Sequence, residues 1–420
     1  MRLSVASMGA AGDGIARDDS GAPVFIPFSL PGEVVRVTPG ERRGDGRSAT
    51  LEAVEVPSPD RVVPPCPHFG TCGACVVQHW ADPAFAAWKA ARVVEALGRA
   101  GFPDVAVPPA VVSAPNTRRR ADLAMRRTGG GIVVGFHARG SREPFDLHAC
   151  FVLDPRLLAL VAPLRDLARR LSAFRRAGSA VVNLLDTGAD LLLRTDGVPT
   201  AADRAVLAAF GAANGIPRIA WAAEGGREAP EVAAQSGPVS IALSGVAVAP
   251  PAGAFLQATP EGEAAIVAAV LDGLPRRMPP RAPIVELHAG LGTLTFALAR
   301  RGRVVAHEGA AEAVAALRAA GAARVTATRR DLARQPLLPP EIAGSAAVVL
   351  DPPYAGAAEQ VPVLARAATR VVYVSCNPTA LARDAAAFAR APGWRVERAV
   401  AVDQFRWSSS VEAVVTFARD

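Results

Sequence analysis

Beyond about Pro250 the chain repeats one device: a short apolar run ends in a polar turn and gives way to an Ala-rich stretch of helical spacing. The runs are Ile284-Val285-Glu286-Leu287-His288, Val304 to Glu308, Val325 to Ala327, Ala346 to Leu350 and Arg370 to Val374. Short β-branched runs of this kind suit strands buried on both faces. Their alternation with helices predicts a mainly parallel, doubly wound α/β sheet. Open sheets of this class bind ligands at the carboxyl ends of their strands. The polar residues at those ends are therefore the candidates for chemistry: Glu308, Asp351 in Asp351-Pro352-Pro353-Tyr354, and Ser375-Cys376-Asn377-Pro378. A lone cysteine usually packs as a small apolar group, so Cys376 draws its interest from these neighbours.

The turn after the first run, Ala289-Gly290-Leu291-Gly292, is glycine-rich, which lets a ligand approach the backbone. The second run ends in Glu308, an acid suited to ribose hydroxyls. A dinucleotide or S-adenosylmethionine fits both features. The third glycine of G-x-G-x-x-G is replaced by Thr295, which weighs against the dinucleotide.

A second signal lies far upstream. Cys66, Cys72 and Cys75 follow a C-x5-C-x2-C spacing with Gly and Pro between them, and Cys150 stands alone later in the chain. In a reducing compartment such a group points to metal rather than disulfides, and all-thiolate ligation suits zinc or an iron–sulfur cluster. Residues 1–57 read as a small all-β unit of short strands among Gly and Pro, and Pro57 to Pro65 as a linker. Residues 58–250 form a central α+β region. Asp82 caps a helix to Gly98, Thr117 to His137 makes two basic strands around Gly129-Gly130-Gly131, Pro155 to Ala177 makes an amphipathic helix, and a hairpin turns through Thr187-Gly188. Residues 251–420 carry the sheet described above.

Charge adds a partner class. The net charge is +7, and Lys89 is the only lysine among 46 basic residues. Such a balance suits an acidic partner, above all RNA, although runs such as Arg118-Arg119-Arg120 are individually solvated faces. No apolar run approaches the length of a membrane helix, and Asp13 interrupts any signal-like segment, so a cytoplasmic protein with no membrane contact is expected.

Taken together, these motifs resemble the class I S-adenosylmethionine-dependent RNA uracil-C5 methyltransferases, of the iron–sulfur type that modifies 23S ribosomal RNA. Residues 9–33 resemble its TRAM domain, an RNA-binding β-barrel. Phe255-Leu256-Gln257, Glu286 to Gly292, Glu308, Asp331-Leu332, Asp351-Pro-Pro and Ser375-Cys-Asn-Pro378 resemble its successive motifs. The resemblance implies a Rossmann-like catalytic domain with Cys376 as nucleophile and Glu412 as general base. It implies cofactor contacts from Gln257, His288, Gly290, Thr293, Glu308, Asp331 and Asp351. Cys66, Cys72, Cys75 and Cys150 would hold a [4Fe-4S] cluster, in preference to zinc and with a structural role. RNA is the implied partner, without an obligate protein partner. The thiol of Cys376 is expected to have a lowered pKa, helped by the start of the following helix.

Three departures keep other readings open. Thr259 stands where Asn is usual, His288 and Thr293 replace commoner loop residues, and Arg406 to Ser410 replace the usual approach to the glutamate. Transfer RNA competes with ribosomal RNA as substrate. Tyr354 in Asp351-Pro-Pro-Tyr354 also matches amino-methyltransferases, which need no nucleophilic cysteine. A non-catalytic RNA-binding iron–sulfur protein is the remaining alternative.

Overall fold

The computed structural model describes residues 1–419. The C-terminal sheet has eight strands. Five are parallel, in the spatial order Val325–Arg329, Val304–Glu308, Ile284–Leu287, Ala347–Leu350, Arg370–Ser375. Glu412–Arg419 then pairs antiparallel with Arg370–Ser375, and Trp394–Asp403 antiparallel with it in turn. The order reverses direction of travel beside Ile284–Leu287, which opens a crevice at its carboxyl end. Every predicted run is a strand here, and in the three central ones, Ile284–Leu287, Ala347–Leu350 and Arg370–Ser375, the Val, Ile and Leu side chains are almost wholly removed from water on both sheet faces.

The eighth strand comes from elsewhere in the chain. Val111–Val112 pairs with Val402 and Asp403. The helix Asp82–Ala100 also packs here, placing Ala90, Val93, Ala96 and Leu97 in one core with Leu381, Ala385 and Phe388 of the helix Pro378–Arg390. Asp82 does not cap its helix. The cap position is Ala81, and the Asp82 carboxylate accepts from Arg406 at 2.6 and 2.8 Å instead.

Residues 2–56 form a six-stranded sheet in which Arg2–Ser4 and Ser7–Met8, two ends of one short segment, pair at opposite edges. The sheet thus closes on itself as the expected small barrel, around Val5, Val24, Ile26 and Val35. The central region holds a second six-stranded sheet with the hairpin Ala177–Leu185 and Gly188–Thr195 and the pair Arg120–Thr128 and Gly131–Gly135. The helix expected over Pro155 to Ala177 is two pieces, Pro155–Ala159 and Val161–Arg170. It stops at Leu171, whose extended backbone leads toward the strand that starts at Ala177.

The run Arg118-Arg119-Arg120 is not a solvated face. The Arg118 guanidinium lies 5.8 Å from the Phe405 ring, Arg119 pairs with Glu263 at 2.5 Å, and Arg120 lies 5.5 Å from the Phe255 ring. All three are spent on joining the central region to the C-terminal one. No helix among the described residues is long and apolar enough to cross a membrane.

Candidate active site

The first loop of the catalytic sheet is built for close approach. His288, Gly290 and Gly292 all have positive φ, at 61°, 53° and 101°. A Cβ at Gly292 would lie 2.4 Å from the Phe296 ring, whereas one at Gly290 would meet nothing within 4 Å. Gly292 therefore seats the loop on its helix, and Gly290 leaves open space for a close approach. Across from it, Glu308 accepts from the Gly290 amide at 2.9 Å and from the Ala310 amide at 2.7 Å. That brings the loop and the acid of the second strand together, as a nucleoside-binding site requires. His288 and Thr293 flank the loop, both partly buried, and burial pulls the His288 imidazole below its usual pKa. Asp331 follows the third strand, exposed, and its carboxylate accepts from the Ala333 and Arg334 amides at 3.2 and 3.3 Å. Arg330 donates its amide to the Glu308 carbonyl at 2.8 Å, which places Asp331 beside the same crevice. The set fits S-adenosylmethionine.

Beneath the crevice sits a buried acid that the motif alone did not single out. Glu286 is 1% exposed, its Oε2 has no hydrogen-bond partner, and removal from water pushes its carboxyl up to about 8.

The reacting groups gather at the ends of the next strands. Cys376 sits between the strand Arg370–Ser375 and the helix Pro378–Arg390, and is partly exposed. Its thiol is pushed up to about 11, first by burial and then by the Glu412 and Asp351 carboxylates. The expected lowering is therefore absent in this state of the site. At the helix start the Asn377 side chain accepts from the Thr379 amide at 3.0 Å. Glu412 is 5% exposed and raised to about 8 by burial and by Asp351. Burial raises Asp351 to about 6, while a hydrogen bond from Gln257 Nε2 at 3.3 Å opposes the shift.

One residue joins these groups and carried no sequence signal beyond its place after Asp403. Gln404, 1% exposed, donates from Nε2 to Gln257 Oε1 at 2.6 Å and to Glu412 Oε1 at 3.0 Å. A buried lysine was missed as well. Lys89, fully buried, reaches Asp403 at 2.5 Å and the Ser410 carbonyl, so the helix Asp82–Ala100 grips both ends of the loop that carries Glu412. An amphipathic-helix pattern marks such a position only as apolar-facing, and Lys89 was visible solely as the one lysine.

The four upstream cysteines converge. Cys66, Cys72, Cys75 and Cys150 line one cavity of about 230 Å³, all as free thiols. Burial raises Cys72, Cys75 and Cys150, with Cys75 at about 12. Among the described residues no three ligating side chains meet closely enough to hold a single ion. Phe405, Arg406, Ser408 and Ser410 form the far wall of the same cavity, and the Val76 and Val77 amides donate to the Trp407 carbonyl at 2.8 and 3.1 Å.

Residues 342–420 match the family model described as tRNA (Uracil-5-)-methyltransferase, and residues 1–38 match the TRAM domain. An RNA methyltransferase of Brucella suis is 38% identical across 100% of this chain and 98% of its own length. The 23S rRNA (uracil(1939)-C(5))-methyltransferase RlmD of Chromohalobacter salexigens is 34% identical across 100% of this chain and 89% of its own. The chain belongs to the family of S-adenosylmethionine-dependent RNA (uracil-5-)-methyltransferases. Its fold is shared with the Pyrococcus abyssi tRNA (uracil-54, C5)-methyltransferase in complex with S-adenosyl-L-homocysteine, at a TM-score of 0.73, 20% identity and full coverage of both chains. That likeness establishes a class I methyltransferase fold, here with a TRAM domain at its N-terminal end.

Proposed function

We propose that this enzyme methylates carbon 5 of a uridine in 23S ribosomal RNA, in the cytoplasm, through a covalent adduct on Cys376. The carrying observation is the convergence of one thiol and two carboxylates, Cys376, Asp351 and Glu412, at one sheet edge beside the nucleoside-binding loop. S-adenosylmethionine, held by Gln257, His288, Gly290, Thr293, Glu308, Asp331 and Asp351, supplies an electrophilic methyl group. Carbon 5 of uracil is a weak nucleophile. Addition of the Cys376 thiolate to carbon 6 turns the ring into an enolate whose carbon 5 attacks the methyl group, and the methyl–sulfur bond breaks to leave a neutral thioether. Glu412 then takes the carbon 5 proton, the electron pair re-forms the ring double bond, and the sulfur–carbon bond breaks to release the thiolate. A carboxyl raised to about 8 suits this task, since its conjugate base is stronger than an ordinary carboxylate. The uridine must leave its stack to reach the cavity.

Cys66, Cys72, Cys75 and Cys150 are read as ligands of a structural [4Fe-4S] cluster. Their common cavity supports this reading, since four sulfurs lining one space suit a shared group held by thiolates. An amide donated to the Cys150 sulfur, from Leu153 at 3.4 Å, suits a ligating thiolate.

The choice of ribosomal RNA leans on the relative from Chromohalobacter salexigens, and transfer RNA is the second reading, favoured by the name of the matched family model. Both are tested together by anaerobic incubation with S-adenosylmethionine and ribosomal or transfer RNA carrying 5-fluorouridine. Fluorine cannot leave as a proton does, so the expected result is a methylated adduct on Cys376 with ribosomal RNA. An adduct with transfer RNA alone would move the substrate. No adduct beside normal methylation would point to Asp351-Pro-Pro-Tyr354 and an exocyclic amine.

A further inference from the structure

We infer that Gln404 is a positioning residue that sets the hydrogen-bond polarity of the site, turning Glu412 so that one defined oxygen receives the carbon 5 proton. The inference rests on the reading of Glu412 as the base and deepens it.

A side-chain amide can sit in either of two orientations, and its neighbours decide which. The Ala258 backbone N–H points at Gln404 Oε1 at 2.6 Å. A backbone N–H can only donate, so the carbonyl end of Gln404 must face Ala258 and its NH2 must face the site. That NH2 carries two protons and has two acceptors, Gln257 Oε1 at 2.6 Å and Glu412 Oε1 at 3.0 Å. Because Gln257 accepts on its oxygen, its own NH2 turns to Asp351, at 3.3 Å. One fixed backbone donor thus orders four side chains in series, from Gln404 to Glu412 on one branch and through Gln257 to Asp351 on the other. The arrangement needs space, which Gly262 provides. A Cβ there would lie 2.6 Å from Gln404 Cβ.

For Glu412 this has two consequences. Its Oε1 holds a hydrogen bond from a neutral donor, so Oε2 is the oxygen to which the proton goes when the carbon 5–hydrogen bond breaks. That same bond stabilises the ionised carboxylate against burial and against Asp351, with Lys89 also acting on the ionised side and Cys376 standing opposite. Losing it leaves the carboxylate harder to ionise.

The test uses the full enzyme and the variant Gln404→Met, which keeps the volume and removes both donors. RNA tritiated at uridine carbon 5 reports proton abstraction, and labelled S-adenosylmethionine reports methyl transfer, both in single turnover. Tritium release should fall roughly 10- to 100-fold while methyl transfer falls less, because a charge-assisted hydrogen bond to the base has been lost. A methylated protein–RNA adduct should accumulate, and the acidic limb of the tritium-release profile should move up by about one pH unit. A role in packing alone would slow both steps together and leave the limb in place, which would overturn the inference. Glu412→Gln runs in parallel. If it accumulates the methylated adduct and Gln404→Met does not, only the role of Gln404 falls. If Glu412→Gln itself turns over normally, the assignment of the base falls and takes this inference with it. In the native protein, the side-chain amide resonances of 15N-glutamine at 404 should shift with the same midpoint as tritium release. An amide that ignores that midpoint overturns the inference even where the variant does not fold.

Discussion

The molecule holds its five cysteines in two settings that burial treats alike and chemistry does not. Four face one another across a cavity, with Arg118 and the Phe405–Ser410 wall around them. The fifth, Cys376, faces two carboxylates at the edge of a sheet. In both settings loss of water favours the neutral thiol. What differs is the remedy at hand. A group of sulfurs around a cavity can be stabilised as thiolates by a cation shared among them, whereas a single thiol beside carboxylates has no such partner. On the proposed reading, the same residue type would serve as a structural ligand in one place and as a nucleophile in the other, according to what stands opposite.

Substitutions should separate the two settings. Cys376→Ala should lower single-turnover methylation by at least roughly 10⁴-fold while moving the melting temperature by no more than about 2–4 °C. A variant that retained appreciable turnover would break the comparison. Cys75→Ser should do the reverse. Anaerobically purified protein should lose bound iron and several kcal/mol of stability, on the order expected for a structural metal site. Its remaining folded fraction should still form the 5-fluorouridine adduct at Cys376.

Lys89 tests the structural link between the settings, since its partner Asp403 begins the loop that walls the cavity and ends at Glu412. Lys89→Met should cost about 3–5 kcal/mol in chemical denaturation, because Asp403 is left buried and uncompensated, and Lys89→Met with Asp403→Asn should recover part of it. Equal losses in the single and double variants would mean that the pair contributes through packing alone.

The smallest expected effect concerns Glu286. Its carboxyl is raised to about 8 in the folded protein, above the value of about 4.3 for an unfolded chain. Its neutral form is thus the one the fold prefers. The associated stability is complete below the unfolded value and is lost as pH rises through about 8, with Glu412 and Asp351 adding in the same direction. Melting temperatures should accordingly decline between about pH 5 and pH 9, and Glu286→Gln should flatten that decline by a few degrees. An identical slope in the variant would assign the decline to the other two acids.

Much of the fold was legible because buried parallel strands announce themselves as short unbroken apolar runs. All five runs beyond Pro250 are strands, and the polar residues at their ends do meet. Cysteine spacing likewise located one wall of the cavity, and Cys150 completed it. Residues whose role is set by distant partners were less legible. Val111–Val112 is too short to read as a strand until Val402 and Asp403 lie beside it. The arginines 118–120 look solvated until Glu263, Phe255 and Phe405 arrive. Gln404 is one polar residue in a short loop, and its meaning depends on an amide at Ala258, 146 positions earlier. The lowered thiol pKa failed first because burial disfavours the thiolate, and then because the nearby carboxylates come from other strands.

The helix Asp82–Ala100 has a consequence in time. Its apolar side is completed by the helix Pro378–Arg390, which the ribosome makes almost 280 residues later. At ordinary elongation rates that is a wait of roughly 15–60 s. During it a helix bearing Val93, Ala96 and Leu97 on one side, and a lysine meant for burial, must remain in solvent or in the care of a chaperone. The late-made stretch that closes the catalytic sheet thus also releases the helix Asp82–Ala100 from that exposure.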